Sequence, residues 1–123
     1  MSAPADFTWV VDGQACAHVA ALKEEWGEAA YREQRDAFKE WLCNYIDNTE
    51  CRTKGAGVSP LHGYGEGGMV LKARWGTPGS GKRGGLRVLL VAYLEQRRIV
   101  IAGIWPRVDD PSDADIASAL RQL

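Results

Sequence analysis

"GTPGSGKRGGLRVLLVAYLEQRRIVIAGIW" (residues 76–105) reads in two incompatible ways, as a nucleotide-binding loop or as a turn and two strands. Its first third almost spells a phosphate-binding loop: Gly76, four residues, then Gly81 and Lys82. That motif also requires Ser or Thr after the lysine, to hold Mg²⁺, and a helix whose N-terminus faces the phosphates. Arg83 stands where the hydroxyl should be, and Gly84 and Gly85 lead into β-branched and aromatic residues. That run reads as a strand over Leu86–Leu94 and a second over Arg98–Trp105. The "EQR" between them is short enough for an antiparallel hairpin. A nucleotide triphosphate is therefore not an expected ligand, and no cofactor is expected.

"MVLKARW" (Met69–Trp75) reads as a further strand and "FTWVV" (7–11) as an N-terminal one. Between them lie two helical stripes. Ala15, Val19, Leu22 and Trp26 recur at helical spacing over Gln14–Trp26, with Asp12 as the candidate N-cap. Gly27 breaks the pattern, and Tyr31, Phe38, Trp41, Leu42, Tyr45 and Ile46 resume it over Glu28–Asp47. These aromatics read as core. Residues 48–68 form a long Gly-rich connection, a length that in compact domains goes with function or mobility. After the last strand, Ser112 followed by Asp115 suggests a capping box opening a C-terminal helix. The order is β-α-α-β-β-β-α, an α+β fold with an N-terminal strand and an αα-hairpin packed on a small antiparallel-rich sheet. The chain reads as one domain, 1–123, with residues 1–6 expected to be disordered.

Composition narrows the class. With 46% hydrophobic residues and five tryptophans the chain is not disordered by composition. Its longest apolar run, Val88–Leu94, is far below membrane-spanning length. "MSAPADFTWVV" lacks the basic-then-apolar order of a signal peptide. Cys16, Cys43 and Cys51 are odd in number and show no metal-ligand spacing, so they read as free thiols in a reducing cytosol, with no metal site. The net charge of −1 conceals a division. Residues 1–50 carry four basic and ten acidic side chains, whereas residues 69–108 carry eight basic ones and only Glu95 on the acidic side. Such asymmetry marks a polyanion-binding surface in the second half.

Strand alternation locates that surface. Val70, Lys72 and Arg74 share one face of their strand, and Met69, Leu71 and Ala73 the other. Arg87 opens the neighbouring strand, and "IWPRV" sets Trp105 and Arg107 at the end of the last. Four or five cations thus converge on one side of the sheet, expected to be open and concave, while Tyr31, Phe38 and Leu42 cover its reverse. Arginine forks suit phosphates, and a tryptophan face suits a stacked base.

Three stretches carry a resemblance: "LKARWG" (71–76), "GSGKRGGLRVLLVAYL" (79–94) and "RRIVIAGIWPRVDDPSDADIASAL" (97–120). The hydrophobic-Lys-x-Arg-aromatic strand, the Gly-Lys-Arg-Gly-Gly-x-Arg-Val turn and the strand ending in aromatic-Pro-basic together resemble the C-terminal half of RelE/HigB-type toxins. These are the mRNA-cleaving members of the RelE/ParE toxin–antitoxin superfamily. The match covers roughly residues 61–123, and the preceding β-α-α order agrees with the family fold.

The resemblance implies a cytoplasmic mRNA interferase, silenced by a cognate antitoxin, that cuts ribosome-bound mRNA without metal by attack of a ribose 2′-OH on the adjacent phosphate. By position Arg87 matches the family's phosphate-stabilising arginine. Lys72 and Arg74 match its basic residues on the preceding strand, and Arg107 a basic position near the end. Lys82, Arg83 and Trp105 are the implied RNA contacts. The reaction needs a base, an acid and cations for the developing charge. Here the chain departs from the family: "WPRVDDPSDADI" lacks the tyrosine or histidine many members carry there, leaving Lys72, His62 and Tyr64 as candidate bases. Family toxins are also commonly basic overall. The alternative reading is a non-catalytic nucleic-acid- or partner-binding module on the same fold, since some superfamily members cut no RNA and poison gyrase instead.

Overall fold

The computed structural model describes residues 4–64, 67–77 and 81–123, without the side chains of 77 and 81–84. Its centre is a five-stranded mixed sheet. β1 (Thr8–Val11) lies at one edge and β2 (Val58–Leu61) at the other. Between them stand β3 (Met69–Thr77), β4 (Gly81–Tyr93) and β5 (Arg98–Pro106), giving the order β1-β5-β4-β3-β2. β1 runs parallel to β5, and every other pairing is antiparallel. The glycine-rich run therefore feeds β4 and not a helix, and the phosphate-binding loop loses its helix N-terminus.

α1 (Ala15–Trp26) and α2 (Glu28–Thr49) cover one face of the sheet. Their inward aromatics meet Trp75 of β3, whose ring stacks on Phe38 at 5.1 Å and lies 5.8–5.9 Å from Trp26 and Tyr31. The indole N–H donates to the Gln34 carbonyl at 3.2 Å, so a buried polar group on the strand is satisfied by the helix above it. Tyr31, Phe38 and Leu42 are buried in this core, as their spacing requires.

Four details differ from the sequence reading. The long connection contains β2, whose Pro60 hides its strand character; an edge strand tolerates proline because one of its sides donates to nothing. α3 (Asp113–Arg121) packs on the opposite face from the other two helices, burying Ile116, Ala119 and Leu120 against Val70, Leu89, Val91 and Ala102. The sheet face expected to be open is thus open only at one end. Asp12 does not cap α1: its carboxylate accepts from the neighbouring Gly13 N–H, and the N-cap position falls on Gln14. Finally, Pro4–Asp6 form a 3₁₀ turn whose Pro4 carbonyl accepts from the Trp9 indole at 2.8 Å, so order begins before residue 7; residues 1–3 lie outside the described residues. The capping box of α3 is present, Ser112 and Asp115 exchanging side-chain-to-backbone bonds of 3.0 and 3.1 Å.

Beyond Val11, α1 takes over the free edge of β5. Asp12 N–H donates to the Ile101 carbonyl, and His18 Nδ1 accepts from the Ile104 N–H at 2.8 Å. Accepting there requires a neutral imidazole, and burial lowers the His18 pKa from its ordinary 6.5. Below about pH 6.5 the unfolded chain therefore binds a proton that the folded chain resists, so stability falls with falling pH and is unaffected above that range. The melting temperature is expected to drop by a few degrees more in wild type than in His18→Gln between pH 7.5 and 5.5. Equal drops would show that His18 carries no such role.

Candidate functional site

β-sheet register assembles the basic site. Arg74 of β3 stands directly opposite Arg87 of β4, which stands opposite Trp105 of β5. One row further in, Ser59 of β2 faces Lys72, and Lys72 faces Leu89. All six alternate onto the face that α3 only partly covers. Like charges placed directly opposite one another across a strand pair repel. The Arg74–Arg87 pairing thus needs a reason other than stability.

Around this row lies a cleft of about 500 Å³, lined by Lys72, Arg74, Arg87, Arg107 and Asp110, and on its far wall by Lys54, Ser59 and the backbone of 55–57. Gly57, at φ 85°, makes the left-handed turn that brings the connection beside the sheet, and its carbonyl accepts from Arg74 N–H at 2.8 Å. Five cations confront one carboxylate. Lys72 Nζ lies 3.3 and 3.2 Å from the two oxygens of Asp110, and Arg87 Nε lies 3.8 Å from the nearer. Asp110 follows the 3₁₀ turn Arg107–Asp109 and precedes the buried Pro111, which favours the extended backbone it adopts (φ −47°, ψ 125°).

Arg87 is the least accessible of these cations, with its side chain 12% exposed against 27% for Lys72. Burial first, and then the neighbouring Arg74, push its pKa below the ordinary arginine range, Asp110 opposing them in part. Arginine stays protonated through such shifts, so the site holds a desolvated positive charge that a second anion would relieve.

The cleft thus unites Lys72, Arg74, Arg87 and Arg107 among the expected site residues. Trp105 stands beside Arg87 in register, but its ring does not line the cleft. A bulge between Leu89 and Leu90 skips Ala102 in the pairing, and the Trp105 ring folds back over Gly103, edge-on to His18 at 5.6 Å. A Cβ on Gly103 would run into that ring. His62 is exposed beyond the end of β2 and outside the cleft lining; three residues of extended chain separate it from Ser59 by roughly 10 Å. The structure does not bring it into the cleft. Tyr64 donates to Asp113 at 3.3 Å and packs beside α3, away from the cleft as well. The side chains of Lys82 and Arg83 lie outside the described residues.

Sequence reasoning passed over Lys54, Ser59 and Asp110. The length of the 48–68 connection was a signal for the first two, and the "DDP" after Arg107 for the third. Among the described residues no group of three His, Cys, Asp or Glu could hold a metal, and no helix is long and apolar enough to cross a membrane. Cys43 and Cys51 are buried free thiols with pKa values pushed up to about 11, chiefly by burial, which disfavours the thiolate; Cys16 is exposed and also free. No protein-family model, no curated protein and no solved structure matches this chain.

Proposed function

We propose that this protein is an endoribonuclease toxin of the RelE/HigB type, cleaving ribosome-bound mRNA by 2′-OH attack and held silent by a cognate antitoxin. The observation that carries the reading is the like-charge pairing of the little-exposed Arg87 with the exposed Arg74 in a cleft where five cations meet one carboxylate. The motif resemblance and the strand, helix, helix, strand order of the fold add to it, and a RelE-like topology is part of the same proposal.

In this reading the scissile phosphate enters between Arg87, Arg74 and Lys72. Asp110 now occupies that place: its two oxygens sit on Lys72 and face Arg87 as phosphate oxygens would. Displaced from Arg87, the carboxylate is the one proton acceptor among the cleft's described ionisable side chains, and it takes the 2′-OH proton. Lys72, ion-paired as an ammonium, offers a proton to the departing 5′-oxygen rather than accepting one. Arg87 and Arg74 hold the charge that builds on the pentacoordinate phosphorus. Arg107 at the cleft rim lengthens the cationic track for the flanking backbone.

Asp110→Asn separates the two roles. Removal of the resident negative charge is expected to tighten RNA binding about three- to tenfold at low salt, while cleavage slows by at least tenfold. Weaker binding by the variant would show that Asp110 organises the cations instead of competing for them. The proposal as a whole is tested by expressing the chain in a bacterial host without an antitoxin and mapping mRNA 3′ ends on translating ribosomes. Growth arrest with new ends within codons supports it. A harmless chain that generates no ends, yet binds RNA through the same cations, is the non-catalytic module.

A further inference from the structure

A second pocket, of about 320 Å³, opens on the opposite face of the sheet, between α1 and α2. Its floor is apolar and largely buried: Phe38, Trp75, Val88 and Ile104, with Trp9 and Tyr31 as walls. Its rim is cationic. Lys23, Arg35 and Lys39 line it, three of the four basic residues in an N-terminal half that carries ten acidic ones, and no carboxylate lines it. Lys39 Nζ hangs over the Trp9 ring at 5.1 Å and Lys23 Nζ over the Tyr31 ring at 5.5 Å. Arg35 is ion-paired with its neighbour Asp36 at 3.0 Å. Lys23 and Lys39 form no ion pair among the described residues. Burial, and then the Arg35 charge, lower the Lys39 pKa, with Asp36 opposing them in part.

A buried, aromatic-rich floor under a rim of cations is complementary to a ligand with an apolar body and one anionic end. We infer that this pocket binds an apolar carboxylate, of the class of medium-chain fatty acids, with the chain against Trp9 and Val19 above the buried floor and the carboxylate between Lys23 and Lys39. The volume sits at the lower end of the range that holds small organic ligands. The inference is independent of the RNA-cleavage reading, because none of its lining residues belongs to the basic cleft.

The test is calorimetric titration of the full chain with decanoate and with decanol, whose chains match and whose charges do not. Decanoate is expected to bind at one site at least tenfold more tightly than decanol. Lys39→Met with Lys23→Met should remove that preference while decanol binding is kept, which also shows that the variant is folded. Arg87→Ala should leave decanoate binding unchanged. Equal affinities for the two ligands, or no saturable binding of decanoate, would overturn the inference. So would binding confined to an acidic amphipathic peptide, which would assign the pocket to a protein partner.

Discussion

Arg87→Ala is expected to lower the rate of RNA cleavage on the order of a hundredfold or more, while RNA affinity weakens only modestly. The asymmetry follows from where the charge sits. With its side chain 12% exposed, the guanidinium sits at the head of the cleft instead of at its rim, so its field is little screened. A phosphodiester carries one negative charge in the ground state, and the phosphorane gathers more as the 2′-oxygen attacks. A desolvated cation at that point favours the second state over the first. Arg107, on the exposed rim, is the internal contrast: its replacement should weaken binding and flatten the salt dependence by about one unit of slope, with little change in the cleavage step. If Arg87→Ala and Arg107→Ala behave alike, losing affinity and nothing else, the cleft is a binding surface without a reaction.

Gly85→Ala should be strongly destabilising. Gly85 lies in β4 beside the irregular register between Trp75 and Thr77, where the two backbones approach so closely that a Cβ would run into the Trp75 carbonyl oxygen. That oxygen belongs to the backbone and has no rotamer by which to withdraw. The strands must part or slip, with an expected loss of roughly 2–3 kcal/mol, the upper range for forcing an extra carbon into a packed site. For a chain of this size the melting temperature should fall by about 10 °C. Because the same register sets Arg74 opposite Arg87, any RNA cleavage should fall as well, in protein that remains folded at low temperature. A shift of less than 2 °C in a thermal melt would contradict the close approach.

These two residues show what was legible in the sequence. Period-two alternation was enough to place Lys72 and Arg74 together, and the apolar run after Arg87 fixed its strand; both hold in the fold because regular strands leave side chains no choice of face. The helical stripes were equally plain, and Tyr31, Phe38 and Leu42 lie buried where the stripe points. What escaped depended on irregularity or on distance along the chain. The bulge around Ala102 changes which face Trp105 occupies relative to Ile101, and no local pattern announces it. β2 hid behind a proline, and the local pattern of α3 did not tell which face of the sheet it would cover. Asp110 reaches Lys72 across 38 residues of sequence, an encounter that only the folded sheet arranges. Alternation placed the cations, but their lone counter-ion lay outside its reach.

In the proposed reaction the cleft cuts RNA using the substrate's own 2′-hydroxyl. The most direct measurement takes an RNA with a mapped cleavage site and an otherwise identical strand carrying a single 2′-deoxynucleotide on the 5′ side of the cut phosphate, both presented on translating ribosomes. The expected result is cleavage of the all-ribose strand to leave a 2′,3′-cyclic phosphate, no cleavage at the deoxy position, and unchanged binding of the two. Cleavage of the deoxy strand at the same phosphate, or an all-ribose strand that is bound and never cut, would contradict it.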